Sequence, residues 1–351
     1  MTFQELFSYE NLYKSAKLCF KGKRDKLSIL FIEANLPLYI KQLQNELFNN
    51  QYLCDKFIHF RKFNGNKYRN IDALYIKDAI VYKCLCQFFI IPNLMNTLIY
   101  DNCASQKYKG LHFTFNRLKK FLHDHYCKYK TQGGYLLFDI KYFFETIDHF
   151  KLKEFLMSKI KDKQIYNLLC HCIDANQQIY KRNAVGNNKY QGLGLGTELS
   201  QLLALIYTSP LDHYIKEKLK IKYYLRYVDD CIIIHHNIDY LYKIKEKINM
   251  YLQMQLNLNL NQYKTKIIKF VDNNTIVFLK TKFVLNNQQI HFNFKNIKKK
   301  IKLWQKLYES GKMSIKDILI LYQSWRSYVI HGNDDKKIQY IDNLFNSIFI
   351  K

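Results

Sequence analysis

At 351 residues the chain is long enough to bury a substantial core and to form more than one lobe. Its formal charge of +26 exceeds what solubility needs and points to a polyanionic partner, although abundant Lys, Asn, Ile and Tyr is also what AT-rich coding produces. Nine scattered cysteines read as reduced thiols, and with no run of eighteen apolar residues and no secretory leader the composition argues against a secreted disulfide scaffold or a membrane-spanning chain and for a cytoplasmic protein.

Residues 1 to about 50 have helical periodicity, with apolar residues at helical spacing from Ile29 to Phe48. The basic break Lys21-Gly22-Lys23-Arg24-Asp25-Lys26 separates two amphipathic stretches. A hairpin follows, Lys56 to Arg61 and Tyr68 to Leu74, turning at Asn64-Gly65-Asn66. Arg61, Lys62, Lys67 and Arg69 line it, which suits either a solvated surface or one that meets phosphate. Lys77 to Lys83 starts a helix whose apolar face continues through Leu85, Phe88 and Phe89, and Asp78 at its start favours the helix dipole. Beyond Pro92, Asp101 to Gly110 reads as a polar loop. His123-Asp124-His125-Tyr126-Cys127 and Cys170-His171-Cys172 hold metal-ligating residue types. On a helix, however, neighbours at i and i+2 point apart, so ordinary helical residues are expected there.

Gly133 to Phe138 is an apolar strand closed by Asp139, and Asp148-His149 caps the next helix. Gln191-Gly192-Leu193-Gly194-Leu195-Gly196-Thr197-Glu198-Leu199-Ser200-Gln201 is a glycine-rich turn, able to approach a ligand closely, that opens an apolar helix through Tyr207. Lys222 to His236 is dense in Tyr, Val and Ile, as a buried strand is, and holds Asp229-Asp230 in its middle. A buried sheet has no solvation to spare for two like charges, so the pair belongs at a hairpin turn, either solvated at the tip or holding cations. Asp139 at the end of one strand and the pair on another can converge on one spot. Mg²⁺ takes one or two protein carboxylates plus substrate phosphates, and two such ions bind the attacking and leaving oxygens of an in-line phosphoryl displacement. These three acids are the ligand set that chemistry needs. Leu241 to Leu256 is helical in pattern, and Leu256 to Asn261 alternates as a half-buried strand or turn approach. From Lys295 onward the chain is basic and helical, with lysines on one face and Ile, Leu and Trp on another, a pattern suited to a membrane surface or a duplex backbone.

Phe138-Asp139-Ile140-Lys141-Tyr142-Phe143-Phe144-Glu145-Thr146-Ile147-Asp148-His149 resembles motif A of reverse transcriptases. Residues 191–201 resemble their motif B and Tyr227-Val228-Asp229-Asp230 their motif C, in the family's order and spacing. Gln262 to Ile267 is similar to motif D, Val277 to Phe283 to the primer-grip hairpin, and Asn11 to Ala16 and Tyr322 to Asn333 to the two ends of compact bacterial members. The resemblance implies an α+β right-hand polymerase with fingers over 1–130, a palm with an antiparallel sheet over 131–290 and a small basic helical thumb over 291–351. No room is left for an endonuclease, RNase H or maturase domain. The implied activity is RNA-directed DNA polymerisation, adding dNTPs to a primer 3′-hydroxyl with two Mg²⁺ ions, for which Mn²⁺ can substitute. Asp139, Asp229 and the Ile140 carbonyl would be ligands, Asp230 a supporting or second-ion ligand, and Lys264 the group that protonates the departing pyrophosphate. Arg69 would clamp the triphosphate with Lys67 beside it, although the family's usual Pro-Lys pair before that arginine is absent. Phe144, five residues after Asp139, stands where a ring excludes a ribose 2′-hydroxyl, and Gly196 and Gln201 would face the nucleotide. Lys298, Lys299, Lys300, Lys302 and Arg326 would hold the duplex. The implied partners are an RNA template, a DNA or RNA primer and dNTPs, with an accessory protein or a homo-oligomer and no membrane.

Two departures narrow the subfamily. Leu195 precedes Gly196 where glutamine is usual, and Gln201 follows Ser200 where proline is usual, as in reverse transcriptases of diversity-generating retroelements. Loss of that amide removes a fidelity check, so an error-prone enzyme is expected. Some antiphage-defence reverse transcriptases share the departure, which leaves a defence enzyme, oligomeric or template-independent, as the alternative. A binding protein that has lost catalysis is the third reading, and intact Asp139, Asp229 and Asp230 argue against it. Lys280 stands where the primer-grip turn often has glycine, so the tightness of that turn stays open.

Overall fold

Four antiparallel strands run through the middle of the molecule in the order β4-β5-β3-β6. They are β3 (Gly134–Asp139), β4 (Tyr223–Tyr227), β5 (Asp230–His235) and β6 (Lys266–Lys269). The computed structural model describes residues 1–54, 57–63, 68–176, 190–271, 275–285, 289–292 and 294–350. β3 and β5 run apolar without alternation because both faces of the sheet are covered there, whereas β6, Lys266-Ile267-Ile268-Lys269 at the edge, is only partly buried. Leu136, Phe138, Tyr224, Cys231 and Ile233 point into one core with the helices Glu198–His213 and Ile238–Leu256. Tyr135, Leu225, Ile232 and Ile234 point into a second core, against the helix Leu111–Tyr129. Register does the rest: Gly134 pairs with His235 and Asp139 with Asp230, so the acids meet at one end of adjacent strands.

The N-terminal helices Tyr9–Phe20, Leu27–Ala34 and Leu36–Phe48 pack on the first core. The apolar spacing from Ile29 to Phe48 is continuous, yet the helix breaks at Asn35, because Pro37 lies in the first turn of the second helix and cannot continue the first. Strands β1 (Phe57–Phe63) and β2 (Tyr68–Leu74) form the basic hairpin, pairing Lys62 with Arg69 and Arg61 with Asn70. Its tip, including Asn64-Gly65-Asn66 and Lys67, lies outside the described residues. From Ile76 to Thr97 the chain is one helical run, long and apolar enough by length and composition to span a bilayer. Of its most apolar stretch, 61% is buried inside the protein, which accounts for the composition by packing alone. Asp78 in this run is buried and accepts a hydrogen bond from the Tyr52 hydroxyl at 2.8 Å.

Two sequence readings hold and a third is narrowed. Asp148 does cap its helix, its Oδ1 accepting from the Phe150 and Lys151 amides at 2.9 and 3.1 Å. The alternation from Leu256 to Asn261 buries Leu258 and Leu260, but the segment forms only one isolated bridge, Leu260 with Ile140, rather than a strand. The His/Cys groups are helical, as expected: the Cys54 amide donates to His171 Nε2 at 3.1 Å, and Cys172 is buried.

Strands β7 (Thr275–Phe278), β8 (Thr281–Val284) and β9 (Ile290–His291) make a small separate sheet. Its β7–β8 turn is tight: Leu279 and Lys280 both take left-handed backbone, φ 49° and 64°, the conformation of a two-residue hairpin. Glycine is therefore not required at Lys280. The helices Lys295–Glu309, Ile315–Val329 and Asp335–Phe349 close the chain around Ile297, Ile301, Trp304, Ile318, Tyr322, Ile341 and Phe345.

Candidate active site

The turn between β4 and β5 consists of Val228 and Asp229, since Tyr227 pairs with Asp230. Together with Asp139 at the end of β3, it sets three carboxylates on one wall of an open cavity of about 1080 Å³. Asp139 is buried and held from two sides: Asn261 Nδ2 donates to its Oδ1 at 3.0 Å and Lys264 Nζ to its Oδ2 at 2.6 Å. The Asn261 amide also donates to the Asp139 carbonyl at 2.8 Å, fixing the strand end itself. Among the described residues no cation forms an ion pair with Asp229 or Asp230. Burial first, then the neighbouring charge of Asp139, raises the pKa of Asp229. For Asp230, burial followed by the charges of Asp229 and Asp139 pushes it up to about 6. Burial is the largest single influence on Lys264 and lowers its pKa, but its hydrogen bond to Asp139 and the charges of Asp139, Asp230 and Asp229 together outweigh that, and the net shift is upward. The burial and crowding of negative charge that raise Asp229 and Asp230 are what a bound cation relieves.

The opposite walls carry the other expected residues. Arg69 and Asn70 enter from β2, Phe144 from the turn after β3, and Gly194, Leu195 and Gln201 from the glycine-rich segment. This segment docks on two partners. The Leu193 amide donates to the Phe144 carbonyl at 2.7 Å and the Gly192 amide to the Ile147 carbonyl at 2.8 Å, tying it to the β3 turn. The Asp72 amide donates to the Leu195 carbonyl at 2.7 Å, tying it to the basic hairpin. Gly196 has φ +130°, and a Cβ there would sit 2.9 Å from Ile71 Cγ2 and 3.0 Å from the Asp72 carbonyl oxygen. Gly196 thus contributes close packing on the hairpin rather than lining the cavity. Gln201 is exposed, with Oε1 at 3.5 Å from the Ser105 hydroxyl.

Other expected residues lie elsewhere. Lys298, Lys299, Lys300 and Lys302 are exposed along one helix, with Lys298 over the Tyr340 ring at 4.4 Å. Arg326 is engaged by Asp342 at 3.0 Å. Lys67 lies outside the described residues. Sequence reading missed Asn261, whose partner is 122 positions away, and Arg226 with Asp212. The second omission had a signal: one arginine in a buried apolar strand demands a carboxylate.

The family model for reverse transcriptase (RNA-dependent DNA polymerase) matches residues 62–304. The chain belongs to the reverse transcriptase family. The matched span contains the whole carboxylate cluster and the cavity walls just described. The group II intron-encoded protein LtrA of Lactococcus lactis subsp. cremoris is 25% identical to this reverse transcriptase over 217 residues, 62% of this chain and 34% of LtrA. The chain thus spans about a third of the length of that curated relative. Among solved structures, apo telomerase from Candida tropicalis truncated of its C-terminal domain has a TM-score of 0.51 at 18% identity, covering 69% of this chain and 55% of that one. Apo telomerase from the same organism gives 0.51 at 15% identity, over 84% and 60%. The fold they share is the α+β right-hand polymerase.

The family generally uses divalent metal ions. Among the described residues no group of three or more His, Cys, Asp or Glu forms a self-sufficient metal cage. The donor set nevertheless fits an ion completed by substrate phosphates, because Mg²⁺ needs only one or two protein carboxylates in that setting.

Proposed function

We propose that this chain is an RNA-directed DNA polymerase that adds dNTPs to a primer hydroxyl, with residues 1–130 as fingers, 131–290 as palm and 291–351 as thumb. The observation that carries the reading is the meeting of Asp139, Asp229 and Asp230 on one wall of a cavity whose other walls present Arg69, Phe144 and Gln201. Asp139, Asp229 and the Ile140 carbonyl would hold two Mg²⁺ ions, with Asp230 as support. Such ions neutralise the triphosphate and lower the barrier to in-line attack of the primer hydroxyl on the α-phosphorus. Arg69 binds the triphosphate oxygens as a bidentate fork. Phe144 closes the sugar pocket against a 2′-hydroxyl. Lys264, charged and 60% exposed at its side chain, leaves Asp139 and gives its proton to the departing pyrophosphate. Lys298, Lys299, Lys300 and Lys302 would hold duplex phosphates without reading sequence. Arg326 would join them by leaving Asp342. RNA template and primer are the proposed partners.

The biological setting we infer is a mutagenic, diversity-generating retroelement. Leu195 and Gln201, at the positions where the family usually carries glutamine and proline, both line the cavity and support this reading. The experiment is dNTP incorporation by purified protein with Mg²⁺, wild type against Asp229→Asn, followed by sequencing of the product. Faithful length with scattered substitutions on a defined RNA supports the retroelement. Low-complexity or untemplated product supports the defence enzyme instead. Absence of any Asp229-dependent product across primers, templates and partners sinks the polymerase reading.

A further inference from the structure

The Val228-Asp229 turn has a feature that its own residues do not explain. Val228 lies at φ 59°. A two-residue hairpin with positive φ at its first central position ordinarily carries glycine there, and a β-branched residue is the least suited to that conformation. Something outside the turn must hold it. Arg226, two residues upstream on β4, has 0% exposure, and its Nη1 donates to the Val228 carbonyl at 3.2 Å. Its Nε donates to Asp212 Oδ1 at 2.6 Å. Asp212 is equally buried and accepts two further hydrogen bonds, from the Tyr224 hydroxyl at 2.6 Å and from Asn102 Nδ2 at 3.1 Å. The Arg226 backbone is fixed as well: its amide donates to the Asp101 carbonyl at 3.1 Å, and its carbonyl accepts from the Cys103 amide at 2.9 Å.

A buried ion pair is a poor way to stabilise a core, since apolar residues of the same volume do as well or better. It is a good way to deliver a fixed cationic donor to one carbonyl. Asp212 also lies on the helix Glu198–His213, which begins at the glycine-rich segment and carries Gln201 on its first turns. The pair therefore joins the helix on the proposed nucleotide side to the turn that bears Asp229.

We propose that Arg226, held by Asp212, Tyr224 and Asn102, is a positioning residue that clamps Val228 in left-handed backbone and so aims Asp229 and Asp230 at the cation. This rests on the polymerase reading of Asp229. The probe is Mn²⁺ alone, titrated by electron paramagnetic resonance, with thermal unfolding beside it and with Asp229→Asn as the control for site-specific binding. Arg226→Lys keeps a cation for Asp212 but loses the fork, and should weaken Mn²⁺ binding about ten- to a hundredfold, the usual effect of removing a residue that orients a metal ligand. Adding Val228→Gly, which takes left-handed backbone unaided, should recover a large part of that loss. A merely structural arginine predicts a lower unfolding temperature and no recovery. Should Arg226→Lys not fold, Tyr224→Phe carries the test. It removes one donor to Asp212 and should weaken Mn²⁺ binding, again with recovery by Val228→Gly.

Wild-type Mn²⁺ affinity in the folded variants, effects that simply multiply with those of Val228→Gly, or Mn²⁺ binding that ignores Asp229→Asn would each overturn the proposal. Failure of the polymerase reading looks different. Mn²⁺ then binds through Asp229 with the Arg226–Val228 coupling intact, while no dNTP is incorporated under any condition.

Discussion

Gly196→Ala tests how the glycine-rich segment and the basic hairpin depend on each other. The new methyl would lie 2.9 Å from Ile71 Cγ2 and 3.0 Å from the Asp72 carbonyl oxygen, with φ held at +130°. A non-glycine residue in that region of backbone costs about 1–3 kcal/mol, and overpacking adds a further ~1–3 kcal/mol if nothing moves. Something will move, because β1–β2 is a two-stranded hairpin that pairs with no other strand among the described residues. Release of the Asp72 amide from the Leu195 carbonyl lets the hairpin swing away and carries Arg69, two residues from Ile71, with it. Most of the cost should then appear in triphosphate binding rather than in global stability. If ~1.4–3 kcal/mol is transferred, kcat/KM for dNTP falls roughly ten- to 150-fold. The assay is steady-state dTTP incorporation on an RNA template with a DNA primer, alongside urea unfolding. Gly311→Ala is the control: φ is +70° but nothing lies within 4 Å of the added methyl, so it carries backbone strain of about 1–2 kcal/mol without a clash. Unchanged kcat/KM and stability in Gly196→Ala would refute the reasoning. So would an equal effect of the two substitutions on kcat/KM.

Phe144→Ala should lower discrimination against ribonucleotides by on the order of ten- to a hundredfold, measured as the ratio of kcat/KM for dNTP and rNTP; an unchanged ratio removes Phe144 from the sugar pocket. The raised pKa of Asp230, about 6, means its folded-state stabilisation belongs to the protonated form and is lost as pH rises through 6. Asp230→Asn should therefore match wild type near pH 4 and become more stable than metal-free wild type by on the order of 1–2 kcal/mol above pH 7, after allowance for solvent screening. A stability difference that does not change with pH contradicts this. Replacing Lys298, Lys299, Lys300 and Lys302 together with glutamine should weaken duplex binding at low salt and reduce the slope of log K against log salt by about 3–4. An unchanged slope moves the duplex to another surface. Asn261→Ala should free the end of β3 and lower kcat more than it raises KM, since it removes a bond to Asp139 rather than to substrate.

Much of this site was legible because its acids lie in short apolar strands whose burial leaves few arrangements. Phe138-Asp139 and Asp229-Asp230 can share a place only if their strands pair antiparallel, and they do. Asp148 was readable as a cap because capping is local chemistry. What stayed hidden was set by distant partners. Asn261 belongs to an alternating Leu-Asn run that reads as a strand, yet its function is two hydrogen bonds to Asp139. Arg326 reads as a free cation in sequence but pairs with Asp342, sixteen residues on in the next helix. Lys280 stood where a glycine was expected, and the turn is tight regardless because both of its central residues accept left-handed backbone.

The strand order β4-β5-β3-β6 also dictates a sequence of events on the ribosome. β3 is made first, yet both its neighbours come later, β5 beginning at Asp230 and β6 at Lys266. At about 5–20 residues per second, an apolar strand with two open edges waits roughly 5–20 s for its first partner and a few seconds more for its second. During that interval Tyr135-Leu136-Leu137-Phe138 is exposed to wrong pairing, and a nascent-chain chaperone would be expected to cover it.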